Sequence, residues 1–345
     1  MVERRHIAET LTRMSRLSVA VVGDFCVDAY WQLDARTIER SLETGKPTSS
    51  VVSQRYSLGG AGNVAANLIS LGVRRVYALG IIADDLFGRE LTRLLRQLRV
   101  HVGGLIEQEG HWQTPVYAKP YRKSQEQSRI DFGRKNVLSQ QSTRKLIATM
   151  HEIVPKVDAV IVNQQLPLSI FSPTIIRELN TLAEKYKDKV FLVDSRHMIP
   201  RFRAMACKLN AIEAAGLFGR HVAQNELVAA KDLHRYAEHL FRQYRNSVFI
   251  TRGSRGIYVR DGTAAVELPA IKVTGKVDPV GAGDTVVAAL SAVLAAGASS
   301  IRAAGLAMCA AAVTVRKIRQ TGTATPREIL NLVRHLQAHM NPHPE

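Results

Sequence analysis

Asp278-Pro279-Val280-Gly281-Ala282-Gly283-Asp284-Thr285, followed by the apolar run over 286–294, decides how the rest of the chain is read. Two glycines flank an alanine, then come an acid and an apolar run, which is the pattern of a tight turn opening directly into a helix. A helix N-terminus presents unpaired N–H groups and the positive end of its dipole. An anion is stabilised there without any side chain, and glycine lets it come close. Asp284 falls in the first turn, where the dipole favours its ionised form. A base beside an anion-binding turn suits transfer of a phosphoryl group to a hydroxyl. Asp284 is therefore the candidate base, and the N–H groups of Gly281, Ala282 and Gly283 are the candidate anion hole.

Outward from this stretch the chain alternates between helix and strand patterns. Residues 3–16 read as a helix and 17–22 as a buried strand ending at Gly23-Asp24. Residues 30–57 lack helical periodicity and read as a β excursion. A helix follows from Gly59 to Leu71, capped by Gly72, then a strand over 76–82 and an amphipathic helix over 86–98. Short strands are expected at 116–121 and 127–132. Helices over 139–153, 173–186 and 226–244 then alternate with strands over 159–162, 190–193, 208–210, 248–251 and 257–259. The chain ends in helices after Asp284, over 301–318 and over 326–340. This order predicts a mostly parallel sheet covered on both faces, a three-layer α/β/α fold. The whole chain, 1–345, reads as one domain. Its β excursions, at about 26–57 and 112–132, form a lid over the carboxyl ends of the strands, where open α/β sheets bind ligands.

The 345 residues, 46% of them apolar, suffice for a large core. Cys26, Cys207 and Cys309 are far apart and odd in number, so they read as buried thiols of a cytoplasmic protein rather than as a disulfide or metal framework. The first 16 residues carry Arg4, Arg5, Glu9, Arg13 and Arg16 and predict no signal peptide. No apolar run is long enough to span a bilayer. A formal charge of +17 attracts polyanions and phosphorylated metabolites. The charges are nevertheless scattered: Arg89, Arg93, Arg96 and Arg99 follow helical spacing opposite Leu91, Leu94, Leu95 and Leu98. No basic block is interleaved with aromatics. A generically basic surface is expected, with neither a specific nucleic-acid partner nor a membrane.

Four further stretches carry chemistry. Gly23-Asp24-x-x-x-Asp28 ends the first strand, where a carboxylate faces the crevice and accepts hydrogen bonds from vicinal hydroxyls, so Asp24 and Asp28 are candidate sugar ligands. Gly59-Gly60-Ala61-Gly62-Asn63 enters a helix. A dinucleotide loop needs a closer Gly-x-Gly-x-x-Gly match, and Asn63 offers both donor and acceptor, so a polyol is the better ligand. Asn210-Ala211-Ile212-Glu213 follows a short strand. Thr251-Arg252-Gly253-Ser254-Arg255-Gly256 joins two strands, where a hairpin turn and a nucleotide loop are compatible.

Together these strings resemble the PfkB (ribokinase-like) carbohydrate kinases. The 278–285 stretch is similar to that family's Asp-Thr-x-Gly-Ala-Gly-Asp signature, with Pro279 in place of threonine. Residues 59–63 resemble its N-terminal Gly-Gly signature, 210–213 its Asn-x-x-Glu motif, and 251–256 its Thr-x-Gly-x-x-Gly loop. The likeness runs from about residue 17 to 335. It implies a ribokinase-like fold and transfer of the γ-phosphoryl group of ATP to a hydroxyl of a sugar or sugar phosphate. It also implies that Asn210 and Glu213 organise Mg²⁺, Glu213 through water. Thr251, Gly253 and Gly256 would lie near the nucleotide, and Asp278 beside a monovalent cation such as K⁺.

Within the family the chain most resembles the branch that phosphorylates the anomeric hydroxyl of D-glycero-β-D-manno-heptose 7-phosphate. The matching pieces are Gly23-Asp24…Asp28-Ala29-Tyr30-Trp31, the segment 125–132 and Gly322-Thr323-Ala324-Thr325-Pro326. Asn163-Gln164-Gln165 and Asp194-Ser195-Arg196 depart from that branch, which has Ser-Asp-Tyr-x-Lys-Gly and Asp-Pro-Lys there. These departures keep open a binding relative that has lost catalysis, and Trp31, Trp112 and Tyr117 keep open a nucleoside acceptor. Lys119, Arg122, Lys123 and Arg129 each read first as solvated lid charge, with a substrate phosphate as the alternative partner. Unpaired lid edges predict a homodimer.

Overall fold

Apolar residues on both faces of a strand require cover on both sides, and helices supply it. The computed structural model describes residues 4–34, 39–167, 169–223, 226–262, 264–318 and 321–340. In chain order the first part comprises α1 (Arg4–Met14), β1 (Ser18–Gly23), β2 (Phe25–Leu33), β3 (Val51–Gly60), α2 (Ala61–Ser70), β4 (Arg75–Ile82), α3 (Leu86–Gln97) and β5 (His101–Glu107). The middle holds β6 (Val116–Arg122), β7 (Gln125–Glu126), β8 (Ile130–Phe132), α4 (Gln140–Ile153), β9 (Ala159–Gln164), α5 (Pro173–Lys185), β10 (Val190–Ser195), β11 (Ala206–Asn210) and α6 (Ala211–Leu217). The last part holds α7 (Ala230–Tyr244), β12 (Val248–Thr251), β13 (Ile257–Arg260), β14 (Ala265–Leu268), α8 (Ala282–Ala295), α9 (Ser300–Thr314) and α10 (Pro326–Met340).

The large sheet runs β14-β13-β12-β11-β10-β9-β1-β4-β5. It is parallel from β5 to β12, and β13 and β14 are added antiparallel at one end. Side chains of β1 alternate between two cores, as the period of a strand demands. Val19 and Val21 face α1, α2, α3, α8, α9 and α10, whereas Ala20 and Val22 face α4, α5, α6 and α7. Short polar caps start the helices: Asp85 Oδ1 accepts from Gly88 N at 2.6 Å for α3, and Ser139 Oγ from Ser142 N at 3.0 Å for α4. The expected three layers are present.

The small sheet, β3-β2-β6-β7 with β8 on β6, matches the two β excursions of the sequence. It grows from the carboxyl end of β1 and leads into α2. Four elements were not expected, one of them β7, since the expected strand over 127–132 is present only as β8 at Ile130–Phe132. β5 contains Gly103-Gly104, which weakens its strand signal. β14 and α6 are only 4 and 7 residues long. The expected helix over 226–244 begins at Ala230, and that over 301–318 ends at Thr314.

Candidate active site

Parallel register brings the carboxyl ends of β1, β9, β10 and β11 side by side, with Gly23 opposite Asn163, Asn163 opposite Asp194, and Asp194 opposite Lys208. The N-termini of α2 and α8 converge on this edge. Gly281 enters α8 with φ +80°, and a Cβ there would lie 2.7 Å from Thr321 Cγ2 and 3.0 Å from Asn63 Nδ2, so only glycine fits. Val280 N donates to Asp278 Oδ1 at 3.1 Å and shapes the turn.

The expected anion hole needs one correction. Ala282 N donates to Pro279 O at 3.1 Å inside the turn, so that amide is engaged. The N–H groups of Gly281, Gly283 and Asp284 have no partner among the described residues and remain as donors at this helix end.

Asp284 Oδ2 accepts from Asn63 Nδ2 at 2.6 Å. Burial pushes the carboxyl up to about 6, the Asn63 hydrogen bond opposes this, Asp194 adds to it, and Lys208 and Arg196 pull it down. Burial, and not the dipole that favours the ionised form, sets the direction of this shift. The group is still mostly ionised at neutral pH. Asn63, expected to bind a polyol, turns its amide to Asp284 and accepts from Asn67 Nδ2 at 3.3 Å through Oδ1. It aims the carboxylate.

Asp24, expected as a sugar ligand, is engaged by the protein itself. Its Oδ2 accepts from Gln165 N (2.8 Å) and Leu166 N (2.9 Å), and its Oδ1 from Ser169 Oγ (2.5 Å) and Ile170 N (3.4 Å). All its lone-pair directions are occupied, and it locks the loop after β9. Asp28 is buried on β2 and paired with Nζ of Lys119 on β6 at 3.2 Å. Burial raises its pKa above the ordinary value, against the pull of Lys119, Arg129 and Arg55. Gly59 and Gly60 are set by packing: a Cβ would meet Cys26 Sγ at 2.8 Å and Asp24 O at 2.5 Å respectively.

Asn210 and Glu213 form a capping box on α6: Glu213 N donates to Asn210 Oδ1 and Asn210 N to Glu213 Oε2, both at 2.8 Å. Thr251 pairs with Asn210 across adjacent strands. Gly253 (φ +58°) and Gly256 (φ +102°) flank a turn of 3₁₀ helix, and a Cβ on Gly256 would collide with Leu268 O at 2.0 Å, whereas Gly253 has open space. Local structure therefore explains Asn210 and Gly256 before any ligand is invoked.

The model of the pfkB family carbohydrate kinases matches residues 16–328. The chain belongs to the PfkB family. The bifunctional protein HldE of Trichlorobacter lovleyi is 28% identical over 334 residues, covering 96% of this chain and 66% of that protein. HldE of Coxiella burnetii is 30% identical over 314 residues, covering 89% and 62%. The chain therefore spans just under two thirds of the length of the curated relatives it matches. In fold it is similar to phosphofructokinase-2 of Escherichia coli in complex with potassium, with TM-score 0.72 and 18% identity over 93% of this chain and 99% of that one. It is likewise similar to Arabidopsis thaliana ribokinase complexed with ribose and ATP, with TM-score 0.71 and 19% identity over 92% and 99%.

This PfkB carbohydrate kinase holds a group that the sequence reading passed over. Lys208 is 6% exposed, its Nζ lies 3.2 Å from Asp194 Oδ1, and it stands 3.5 Å from where a Gly283 Cβ would be. Burial works against its charge, yet Asp194 and Glu213 hold its pKa above the ordinary lysine value. A lysine inside the strand Ala206–Asn210 was the available signal, since lysine is almost never buried unpaired. The departures at 163–165 and 194–196 also fit one another. Asn163 Nδ2 approaches Asp194 Oδ2 at 3.4 Å, and Gln164 Oε1 accepts from Ser195 Oγ at 2.6 Å and from His197 N at 3.0 Å.

A crevice of about 520 Å³ separates the small sheet from the 278–280 turn, lined among others by Tyr30, Arg55, Lys119, Lys123, Asp278 and Val280. Arg55 lies 4.2 Å from the centre of the Tyr30 ring in this crevice, and Arg129 lies 4.4 Å from that of Tyr117, while Trp31 also lines the crevice. Trp112 is buried. Among the described residues no group of three or more metal-ligating side chains occurs, and no helix is long and apolar enough to cross a membrane. Cys26, Cys207 and Cys309 are free and buried.

Proposed function

We propose that this carbohydrate kinase phosphorylates a hydroxyl of a sugar phosphate, with the anomeric hydroxyl of heptose 7-phosphate as the leading acceptor, and that Asp284 is its base. The observation that carries the reading is a carboxyl with one donor, Asn63, beside helix-end amides that have no partner among the described residues. Asp284 takes the proton of the acceptor hydroxyl. The Gly281, Gly283 and Asp284 N–H groups and the Lys208 ammonium stabilise charge on the transferring group. Asp28 with Lys119 positions the acceptor, and the small sheet serves as the lid. Arg55, Lys119 and Lys123 in the crevice favour an acceptor that already carries phosphate.

ATP fits along the Asn210 and Thr251 edge. Magnesium, when bound with it, supplies charge neutralisation of the phosphates. It is held largely by phosphate and water, and Glu213 keeps Oε1 for that shell. Asp278 remains the proposed neighbour of a monovalent cation, and a K⁺ titration without change in rate removes that role. The exposed edge strand β3, with Val51 and Val52 open, is the proposed dimer contact, and light scattering at one chain mass refutes it. A cytoplasmic location remains part of the reading.

Buried Trp112 and the Arg129-covered ring of Tyr117 speak against a nucleoside acceptor, and Trp31 in the crevice is the ring on which that alternative still rests. The test is ATP-dependent turnover over matched free and phosphorylated sugars, heptose 7-phosphate included, with thermal shift as the binding readout. Phosphorylated acceptors are expected to exceed their free counterparts by about 100-fold in kcat/KM, the scale of a charge-assisted contact made and lost. A preference for free sugars overturns the phosphate reading. Binding without turnover makes the chain a non-catalytic relative.

A further inference from the structure

The positive charge, scattered along the sequence, is gathered by the topology on the edge of the large sheet opposite Asp284. Strands β1, β4, β5 and β12 all begin there, in the registers Ser18 opposite Arg75, Tyr77 opposite His101 and Cys207 opposite Val248. Arg16, Arg74, Arg75, Arg99 and Arg245 stand in the turns just before or at the start of these strands, and all are exposed. Elsewhere on α1 and α3, Arg5, Arg89 and Arg93 are paired with Glu9, Asp84 and Glu90. The five edge arginines have no carboxylate partner among the described residues. Of the acids at the same edge, Asp158 is turned to Ser18 N at 2.7 Å, and Asp188 stands exposed between Lys187 and Lys189.

Backbone geometry gives a second, independent sign. Helices α2 and α8 end in left-handed glycines, Gly72 (φ +90°) and Gly297 (φ +81°), as unstrained helix ends do. Helices α3 and α7 place Arg99 (φ +60°) and Arg245 (φ +50°) in that conformation instead, against the steric preference of a side chain. Both cations are therefore retained where glycine is easier.

We propose that this edge binds a phosphodiester polymer, a nucleic acid held by its backbone without reading of its sequence. Five arginines lead the row, with Lys187 and Lys189 before β10 at the same edge, and the planar fork of arginine matches phosphate oxygens. Neighbouring strands are spaced at about 4.8 Å, so the seven strands from β5 to β12 set the cations along a line of roughly 30 Å, the shape of a linear polyanion. A lipid surface is the weaker fit. The large exposed apolar side chains, among them Val51, Val52, Ile130 and Val280, lie elsewhere, and none stands in the turns of this edge.

The test is fluorescence anisotropy of a labelled oligonucleotide of about 20 nucleotides at about 0.1 M salt. Reversal of three edge charges (Arg16→Glu, Arg74→Glu, Arg75→Glu) is compared with an equal reversal on α4, α5 and α7 (Arg144→Glu, Arg177→Glu, Lys231→Glu). The edge variant is expected to lose at least about tenfold in affinity and about two to three units of salt slope, and the control less than about threefold. Equal losses, no measurable binding, or binding to phosphatidylserine vesicles in place of the oligonucleotide overturn the proposal. Arg99→Gly and Arg245→Gly sharpen it: each is expected to melt higher and bind more weakly. Lower melting with unchanged binding would mean that these arginines serve only their helix ends.

Discussion

Asp24 and Asp284 stand at the same edge of the large sheet, and burial lifts the pKa of both. They differ in company. Asp24 is 2% exposed and receives four hydrogen bonds from the 165–170 loop. Asp284 is only partly buried and receives one, from Asn63. A carboxylate with every lone pair engaged is a fastener. One held by a single donor, with open amides beside it, is free to take a proton. Burial and titration alone do not tell the two apart, but the donor count does.

The largest expected effect separates them directly. Asp284→Asn should lower kcat by about 10²–10⁴-fold with the fold intact, because a positioned base supplies that much. Turnover within about tenfold of the parent would remove Asp284 from the chemistry. Asp24→Ala should do the reverse. It strands three buried N–H groups and a hydroxyl, so stability should fall by roughly 2–4 kcal/mol in denaturant titration, while kcat per folded molecule changes little.

Lys208 sharpens the comparison from the other side of the turn. Lys208→Met leaves Asp194 buried without its partner, which should cost about 3–5 kcal/mol of stability. The double change Asp194→Leu with Lys208→Met should recover most of that stability. If the ammonium acts on the transferring group, the double variant should still lack about tenfold or more in kcat. Full recovery of both would make the pair structural.

A smaller effect lies in the pH profile. A base titrating at about 6 predicts that kcat/KM rises through that pH and levels above it. Asn63→Ala removes the bond that lowers the Asp284 pKa, so the acid limb should move to higher pH. A shift to lower pH would contradict the assigned role of Asn63.

The smallest effect is on stability, and its sign is opposite to that of a salt-bridged acid. The folded pKa is raised above its ordinary 3.8, so the folded protein binds this proton more tightly. That contribution is complete below about pH 4 and is lost as pH rises through about 6. Asp284→Asn should therefore melt higher than the parent at pH 8, by at most about 3 kcal/mol, and the gain should vanish near pH 4.

The fold was legible because its signals are local. Apolar runs such as Ser18–Gly23 and Ala159–Gln164 need no partner to announce a buried strand, and Gly281 and Gly72 mark helix ends by their own backbone needs. The turn before α8 and Asp284 were readable for the same reason. The rest depended on register. Which of two aspartates near β1 faces a ligand follows from where the 165–170 loop lies, and no spacing in the sequence carries that. Lys208 meets Asp194 only because β10 and β11 are neighbours. The Asn210–Glu213 string shows a further limit: its residues satisfy a helix cap first, so the pattern alone does not separate capping from magnesium chemistry.

Deep between the two glycine turns, Asn67 Nδ2 donates to Asn63 O at 2.9 Å, while Thr285 Oγ1 donates to Asn67 Oδ1 at 2.7 Å and lies 3.2 Å from Thr314 Oγ1. This bolt couples α2, α8 and α9 from beneath, so the distance between the carboxyl and the residue that aims it is fixed by the helices and not by the small sheet. Strands Phe25–Leu33, Val51–Gly60 and Val116–Arg122 can accordingly be remodelled for a new acceptor while the machinery under them keeps its alignment.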